Sequence, residues 1–323
     1  MKFVLSQALC PEGMAGLKAR AEVFVANDGD PNNYLDEMRD ADAVILRIAK
    51  IDRRVIQVSP KLKVIGRTGV GYDNVDVRAA TESGIPVVIT PGANNRSVAE
   101  HAVAMMFSIS KNLVEGHTET VKGNFMTVRG MGKAFEILGK TAGFIGLGAI
   151  GRETASLCRA LGMRTVAYDP YLDRGQVEAG GCEYRDDYEK MLEECDFVSL
   201  HVPLLPETRG LIGRKQLELM KRTGVLINCA RGGIVDEEAL AEALDTGVIA
   251  GAGLDVFEEE PPRNGHPLFG VKNLLISPHS AAQTKEAVIN MALMCVEGCF
   301  AVLDGEKWPH VADKTVYGHD FRR

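Results

Sequence analysis

Short apolar, β-branched runs alternate with helix-like stretches along the chain, and no other feature limits its fold as strongly. DAVILR (42–47), KVIGR (63–67), PVVIT (86–90), TAGFIGLG (141–148), RTVAYDP (164–170), DFVSLHVP (196–203) and GVLINCA (224–230) are each followed by turn residues and an amphipathic segment. Strands apolar on both faces and separated by helices imply parallel sheets covered on both sides. At about 100–200 residues per domain, 323 residues suggest two domains. Short-period repeats and low-complexity segments are absent.

The net charge is -7 and no run of five Lys/Arg occurs, so a nucleic-acid partner is not expected: neutralising phosphates needs a basic surface. The opening MKFVLSQALCPEG reads as a strand and a turn, without the apolar core of a signal peptide. No apolar run approaches the roughly 20 residues of a membrane span, so no membrane partner is expected. Seven scattered cysteines suit a reducing, cytoplasmic setting better than a disulfide framework. Cys295 and Cys299, four apart on a helical pattern, read as a small-residue packing face rather than a metal pair.

Segment 91–115 looks like a capped helix beginning near Ser97, with Glu100 completing a capping box. A second long helical pattern runs from about 284 to 303. A complete nucleotide-binding pattern lies between them. The expected arrangement is therefore a domain at 97–284 inserted into an outer domain of 1–96 plus 285–323. The two helices would cross between lobes and form a hinge beside a cleft.

Gly146-Leu147-Gly148-Ala149-Ile150-Gly151 is a G-x-G-x-x-G. Alone the pattern is weak, but here a strand precedes it, a helical pattern follows, and the next strand ends at Asp169, 18 positions after the last glycine. Gly146 would permit the tight turn, Gly148 the approach of a pyrophosphate, and Gly151 close helix–strand packing. The helix N-terminus favours phosphate, and Arg152 is expected to add a direct contact. A carboxylate at Asp169 accepts ribose hydroxyls and repels a 2′-phosphate. NAD is therefore expected over NADP, with nearby Arg174 the one residue that argues otherwise.

Three downstream segments carry candidate chemistry. In LINCARGGIVDEEAL (226–240), Arg231 stands at a strand's carboxyl end, where it can grip a carboxylate in bidentate fashion. Its neighbours Ala230, Gly232 and Gly233 suggest close ligand approach. In GAGLDVFEEEPP (251–262), Asp255 is a candidate for holding the nicotinamide carboxamide or ribose, and Glu258, Glu259 and Glu260 are three candidate carboxylate partners. In NLLISPHSAAQ (273–283), His279 follows an apolar strand and suits proton transfer near neutrality. A carboxylate beside an imidazole favours its protonated form, so a glutamate partner would keep His279 charged for carbonyl reduction. His101 reads as a packed structural residue and His201 as lining an adenine pocket. His117, His266, His310 and His319 read as surface positions.

Together these segments resemble the D-isomer-specific 2-hydroxyacid dehydrogenases, on the branch of phosphoglycerate dehydrogenases and hydroxypyruvate reductases. The resemblance rests on GRTGVGYDNVD (66–76), NNRSVAEHAVAMM (94–106), GLGAIGR (146–152), HVPLLPETRGLI (201–212), NCARGGIVDEEAL (228–240), LDVFEEEPP (254–262) and SPHSAAQTKEA (277–287). It implies a catalytic Arg231, Glu260 and His279, and so chooses among the three glutamates. It implies NAD contacts at Val70, Ala149, Ile150, Asp169, Val202, Pro203, Cys229, Ala230, Arg231, Asp255, His279 and Ala282. The loop Thr68-Gly69-Val70-Gly71 resembles one whose backbone N–H groups hold a substrate carboxylate.

The family fold is a flavodoxin-like substrate domain with an inserted Rossmann domain, forming a homodimer through the nucleotide-binding lobe. No C-terminal regulatory domain is expected, and hence no serine feedback. Arg47 matches a position that faces the substrate's far end. Ile48 stands where phosphoglycerate dehydrogenases often carry a small polar residue, which bears on a phosphate pocket.

The expected activity is reversible hydride transfer between NADH and a small 2-keto acid, in the manner of 3-phosphoglycerate dehydrogenase. Hydroxypyruvate or glyoxylate reduction and sulfolactate dehydrogenation are the alternatives. An NAD-sensing corepressor is the alternative from another class. Formate dehydrogenase is disfavoured, because Glu260 stands where those enzymes resemble a His–Gln pair.

Overall fold

The computed structural model describes residues 1–26 and 29–318; His319 lies outside them. In chain order the elements are β1 (Lys2–Leu5), α1 (Pro11–Lys18), β2 (Glu22–Val25), α2 (Leu35–Arg39), β3 (Ala43–Leu46), α3 (Arg53–Gln57), β4 (Val64–Arg67), α4 (Val77–Glu82) and β5 (Val87–Val88). There follow α5 (Asn95–Ser110), α6 (Leu113–Val121), α7 (Phe125–Arg129), β6 (Thr141–Ile145), α8 (Ala149–Ala160), β7 (Arg164–Tyr168), α9 (Arg174–Ala179) and β8 (Glu183–Tyr184). The remainder are α10 (Tyr188–Glu194), β9 (Phe197–Leu200), α11 (Arg214–Leu219), β10 (Val225–Asn228), α12 (Glu237–Asp245), β11 (Gly251–Leu254), β12 (Leu274–Ile276) and α13 (Lys285–Leu303). Each of the seven apolar runs contains a strand.

The chain divides into two compact units, Met1–Asn94 with Gln283–Arg323, and Asn95–Ala282. The first holds a five-stranded sheet of order β2-β1-β3-β4-β5, with every pair parallel. That is the flavodoxin-like order. Successive side chains point to opposite faces of a strand, and both faces here are apolar. Val4, Val44, Leu46 and Ile65 enter one core, while Phe3, Leu5, Ile45 and Val64 enter the other with α13. By length and apolar character alone α13 could cross a membrane, with a mean hydropathy of 1.7. Its Cys295, Cys299 and Phe300 instead pack into the second of those cores.

The second unit holds a seven-stranded parallel sheet of order β12-β11-β10-β9-β6-β7-β8. Counted from β6, this is the dinucleotide-binding order with one added strand. The order reverses between β6 and β9, and ligands of such sheets bind beyond the carboxyl ends of strands at that point. Strand residues again alternate between two cores: Ile145, Val198, Leu200 and Leu226 on one face, Phe144, Phe197, Val225 and Ile227 on the other.

One expected boundary is corrected. Helix α5 begins at Asn95, two residues before Ser97. Ser97 lies inside the helix and donates its hydroxyl to Ala281 O at 2.5 Å, while Glu100 pairs with Arg96. A tertiary acceptor for the serine has replaced the capping box.

The Cys295–Cys299 face packs on Gly66 of β4. A Cβ at Gly66 would lie 2.6 Å from Cys299 Sγ and 2.7 Å from Cys295 Sγ. Gly66→Ala should therefore cost about 1–3 kcal/mol by overpacking. Replacing both cysteines by alanine should recover much of that loss. Costs in urea denaturation that merely add would contradict this contact.

Candidate active site

The glycine loop leaves β6 at the topological switch, and its three glycines meet three different surroundings. Gly146 has φ +89, and a Cβ there would lie 2.6 Å from His201 O. Gly151 is closed in by Gly146 O, 2.4 Å from an added Cβ. At Gly148 an added Cβ would meet nothing within 4 Å. The outer glycines thus serve the turn and the packing, and the middle one borders open space. No side chain caps the start of α8, so the N–H groups at Ala149 and Ile150 face that space with the positive end of the helix dipole. These surroundings fit a dinucleotide pyrophosphate.

Asp169 follows β7. Its Oδ2 accepts the Leu147 N–H and its Oδ1 the Tyr171 N–H, both at 2.9 Å. The carboxylate that faces the glycine loop therefore also braces it. Two nearby arginines are placed differently from expectation. Arg152 turns its guanidinium to Gln176 O, 3.3 Å away, rather than to the phosphate space. Arg174 pairs with Glu178 at 3.6 Å and lies 4.9 Å over the Tyr184 ring. Neither guanidinium is engaged with Asp169. Val202 and Pro203 follow β9, beyond His201. The His201 ring stacks on Phe144 and bonds Ser199 Oγ at 2.9 Å. Burial drives its pKa down to about 4, so the ring is neutral at neutral pH.

Cys229, Ala230 and Arg231 follow β10. Cys229 is buried with its Sγ 3.8 Å from Met105 Sδ, and its thiol is pushed well up by burial. Arg231 is half-buried and donates from Nη1 to Ala230 O at 2.7 Å. The small residues after it have a different cause from the ligand approach expected. A Cβ at Gly232 would lie 1.8 Å from Phe257 O. Backbone meets backbone there, which seats the Arg231 turn directly on the turn that carries Glu260.

His279 and Glu260 come together as the resemblance implies. Glu260 Oε2 lies 2.7 Å from His279 Nδ1, and Glu260 Oε1 accepts the Phe257 N–H at 3.1 Å. Burial pulls the Glu260 carboxyl up. The His279 hydrogen bond, the Phe257 N–H, the His279 charge and the Arg231 charge outweigh it, holding Glu260 below the usual carboxylate value. Glu260 is therefore ionised at neutral pH. Glu258 pairs with Arg209, away from the histidine, and Glu259 is exposed.

Asp255 has a different role from the cofactor contact expected. It is fully buried. Its Oδ1 accepts the Ser277 hydroxyl at 2.5 Å and the Ser280 N–H at 2.8 Å, and its Oδ2 accepts the Ala281 N–H at 2.8 Å. These bonds clamp the loop at 277–281, which holds His279 at φ +51 and leads to Ala282. A non-glycine residue in that region costs of order 1–3 kcal/mol and persists only where its surroundings impose it. His101 joins from below, with Nε2 3.0 Å from Ser277 Oγ. The serine proton is committed to Asp255, so His101 is the donor in that contact.

Sequence reasoning misread His266 and, having taken His101 as a packed structural residue, left its partner open. His266 is buried rather than at the surface, 3.0 Å from Glu237. His101 bonds the loop beneath His279. Neither partnership has a signature in sequence spacing.

The remaining candidates lie in the first unit. Arg47 follows β3, half-buried, and burial pulls its pKa down. Its neighbour Ile48 is 70% exposed. Val70 and Gly71 follow β4, and their backbone N–H groups find no acceptor among the described residues. Those are the donors an incoming carboxylate needs.

The glycine surroundings make a paired expectation. Gly232→Ala should lose about 3 kcal/mol or more, since its Cβ meets rigid backbone. Gly148→Ala should change stability by less than about 1 kcal/mol. Urea denaturation of both variants checks this, and equal losses would refute the assignment.

Comparison with known proteins agrees with this geometry. Residues 103–281 match the family model of the D-isomer specific 2-hydroxyacid dehydrogenase NAD binding domain. A D-3-phosphoglycerate dehydrogenase of Methanocaldococcus jannaschii is 42% identical over 95% of this chain. The chain spans 58% of that relative's length. A glyoxylate reductase of Korarchaeum cryptofilum is 37% identical, with 98% of this chain and 96% of the relative covered. A solved NADPH-dependent glyoxylate/hydroxypyruvate reductase of Sinorhizobium meliloti, in complex with NADP and malonate, superposes with a TM-score of 0.86 at 28% identity. That match covers 100% of this chain and 98% of the other. The sheet order, the glycine loop and these matches agree that the chain belongs to the D-isomer-specific 2-hydroxyacid dehydrogenases.

Proposed function

We propose that the chain is an NAD-dependent D-2-hydroxyacid dehydrogenase, interconverting a small 2-keto acid and its hydroxy acid. The observation that carries this reading is the His279–Glu260 pair at 2.7 Å beside Arg231. Glu260 takes the Nδ1 side of the ring, which leaves Nε2 to hand over or accept a proton. In reduction, His279 gives that proton to the carbonyl oxygen, and the Glu260 carboxylate stabilises the charged ring beforehand. In oxidation, neutral His279 takes the hydroxyl proton. NADH, when bound, would supply the hydride for the substrate's C2. Arg231 grips the substrate carboxylate and polarises the carbonyl.

The Asp169 carboxylate favours a free ribose hydroxyl over a 2′-phosphate, so NAD is the working cofactor of this reading. Gly148, Ala149 and Ile150 would hold its pyrophosphate, and Val202, Pro203, Cys229 and Ala230 would contact the rest of it.

For the substrate we favour one with an anionic tail, 3-phosphoglycerate or a close analogue, because Arg47 carries a half-buried charge beside the end of β3. Exposed Ile48 supports a second reading, reduction of glyoxylate or hydroxypyruvate, as the name of the Korarchaeum cryptofilum relative suggests. NADH oxidation with glyoxylate, hydroxypyruvate and 3-phosphohydroxypyruvate separates them. Arg47→Ala should raise KM for the phosphorylated substrate by roughly 10- to 100-fold, the worth of a charge-assisted hydrogen bond, and leave glyoxylate nearly unchanged. Equal effects on both would remove Arg47 from tail recognition. Tight NADH binding with no turnover of any 2-keto acid would sink the enzyme reading in favour of an NAD-sensing binding protein.

A homodimer is part of this proposal. Leu113, Val114, Val121, Phe125 and Met126 of α6 and α7 are more than half exposed, and no residue of either helix is buried. Such an apolar stretch calls for a protein partner. Sedimentation should give a dimer that Phe125→Asp with Met126→Asp dissociates, and a wild-type monomer at micromolar concentration would exclude it.

A further inference from the structure

The turn that carries Glu260 is anchored from behind by a buried polar pair. Leu268 N–H points at His266 Nδ1, 3.3 Å away, and a backbone N–H can only donate. Nδ1 is therefore the acceptor and Nε2 carries the ring proton. Nε2 lies 3.0 Å from Glu237 Oε2, and the other oxygen of Glu237 accepts the Glu258 N–H at 2.8 Å. The side chains of His266 and Glu237 are 9% and 11% exposed. Phe257 packs edge-on against the His266 ring, with centroids 5.5 Å apart. Phe257 is also the residue whose N–H holds Glu260 Oε1. Thus one glutamate at the start of α12 grips residue 258 directly, and through His266 it braces residue 257. Residues 257 and 258 are the ones that aim Glu260.

A purely structural pair would merely close the loop 257–269. Against it stands the economy of the contacts: they fall on residues 257 and 258, the two immediately before Glu259-Glu260, and the first of them donates to the Glu260 carboxylate. A lost bond here leaves a buried charge unsatisfied, and the turn can recover solvation only by moving.

We propose that His266 and Glu237 are positioning residues for the proton-transfer pair: together they hold the 257–258 backbone so that the Glu260 carboxylate meets His279. The proposal rests on the reading of Glu260 and His279 given above. Neither His266 nor Glu237 needs to touch substrate or cofactor for this role.

The test compares full-length variants in glyoxylate reduction by NADH from neutral to alkaline pH, alongside thermal melts. Glu260→Gln serves as the reference, and it should move the alkaline fall-off of kcat to lower pH. His266→Phe keeps the ring packing and loses both hydrogen bonds. It should lower kcat roughly 10-fold, move the fall-off in the same direction and leave KM for NADH unchanged. His266→Gln places an NH2 where Nε2–H stood and should return the fall-off toward wild type. Should His266→Phe fail to fold, Glu237→Gln, whose NH2 must face either the His266 N–H or the Glu258 N–H and so loses one of the two bonds, is read in the same way. A His266→Phe or Glu237→Gln enzyme with a lowered Tm and an unmoved fall-off overturns the proposal, while Glu260→Gln still moving it leaves the reading of the pair intact. An unmoved fall-off in Glu260→Gln itself overturns both.

Discussion

A carboxylate without access to water persists as an ion only when its oxygens are fully engaged. The Asp255 side chain collects one hydroxyl and two backbone N–H groups from a single loop. His101 and Ser97 add a bond each to the same loop, at Ser277 and Ala281 O, but the most bonds converge on the Asp255 side chain. His279 sits in the middle of that loop, in a backbone conformation it would not choose alone. What holds it there is the set of three hydrogen bonds to Asp255 that would be broken if the loop moved. The position of the candidate proton donor is thus a consequence of a carboxyl group it never touches through its side chain.

The same economy recurs around the other members of the trio. Arg231 is placed by the absence of a side chain at Gly232, which lets one turn rest on the carbonyl of another. Glu260 is placed by the N–H of Phe257. In each case the reacting group sits on a loop, and a buried contact one or two residues away supplies the rigidity. That division suits proton transfer, which tolerates little error in distance and angle. It also leaves the reacting faces uncluttered.

What could be read in the sequence follows how local each signal is. Strands of both sheets announced themselves because apolar residues on both faces leave a continuous run in the chain. The glycine loop was legible because its strand, turn, helix and acidic residue all fall between residues 141 and 169. Partners far apart in sequence were not. Ser97 looked like a helix cap because its true acceptor, Ala281 O, is 184 positions away. Arg152 stood at the right place for a phosphate, yet Gln176 O offered its guanidinium a nearer acceptor. His266 lies among loop-forming residues with polar neighbours, and nothing in that stretch shows that Glu237 will enclose it. The three glutamates at 258–260 were indistinguishable by composition. What separates them is a backbone N–H at residue 257 and a histidine 19 positions away.

Asp169 shows where specificity and architecture become inseparable. Its two oxygens already receive the N–H groups of Leu147 and Tyr171, so the side chain that discriminates between cofactors in the proposed reading is also a strut of the phosphate loop. Evolution toward a phosphorylated cofactor therefore cannot proceed at this position by removing charge alone. A replacement must still receive both N–H groups, or the loop must find another brace first. Cofactor preference in this chain is in that sense buffered: it can drift only as fast as the turn beneath it can be rebuilt.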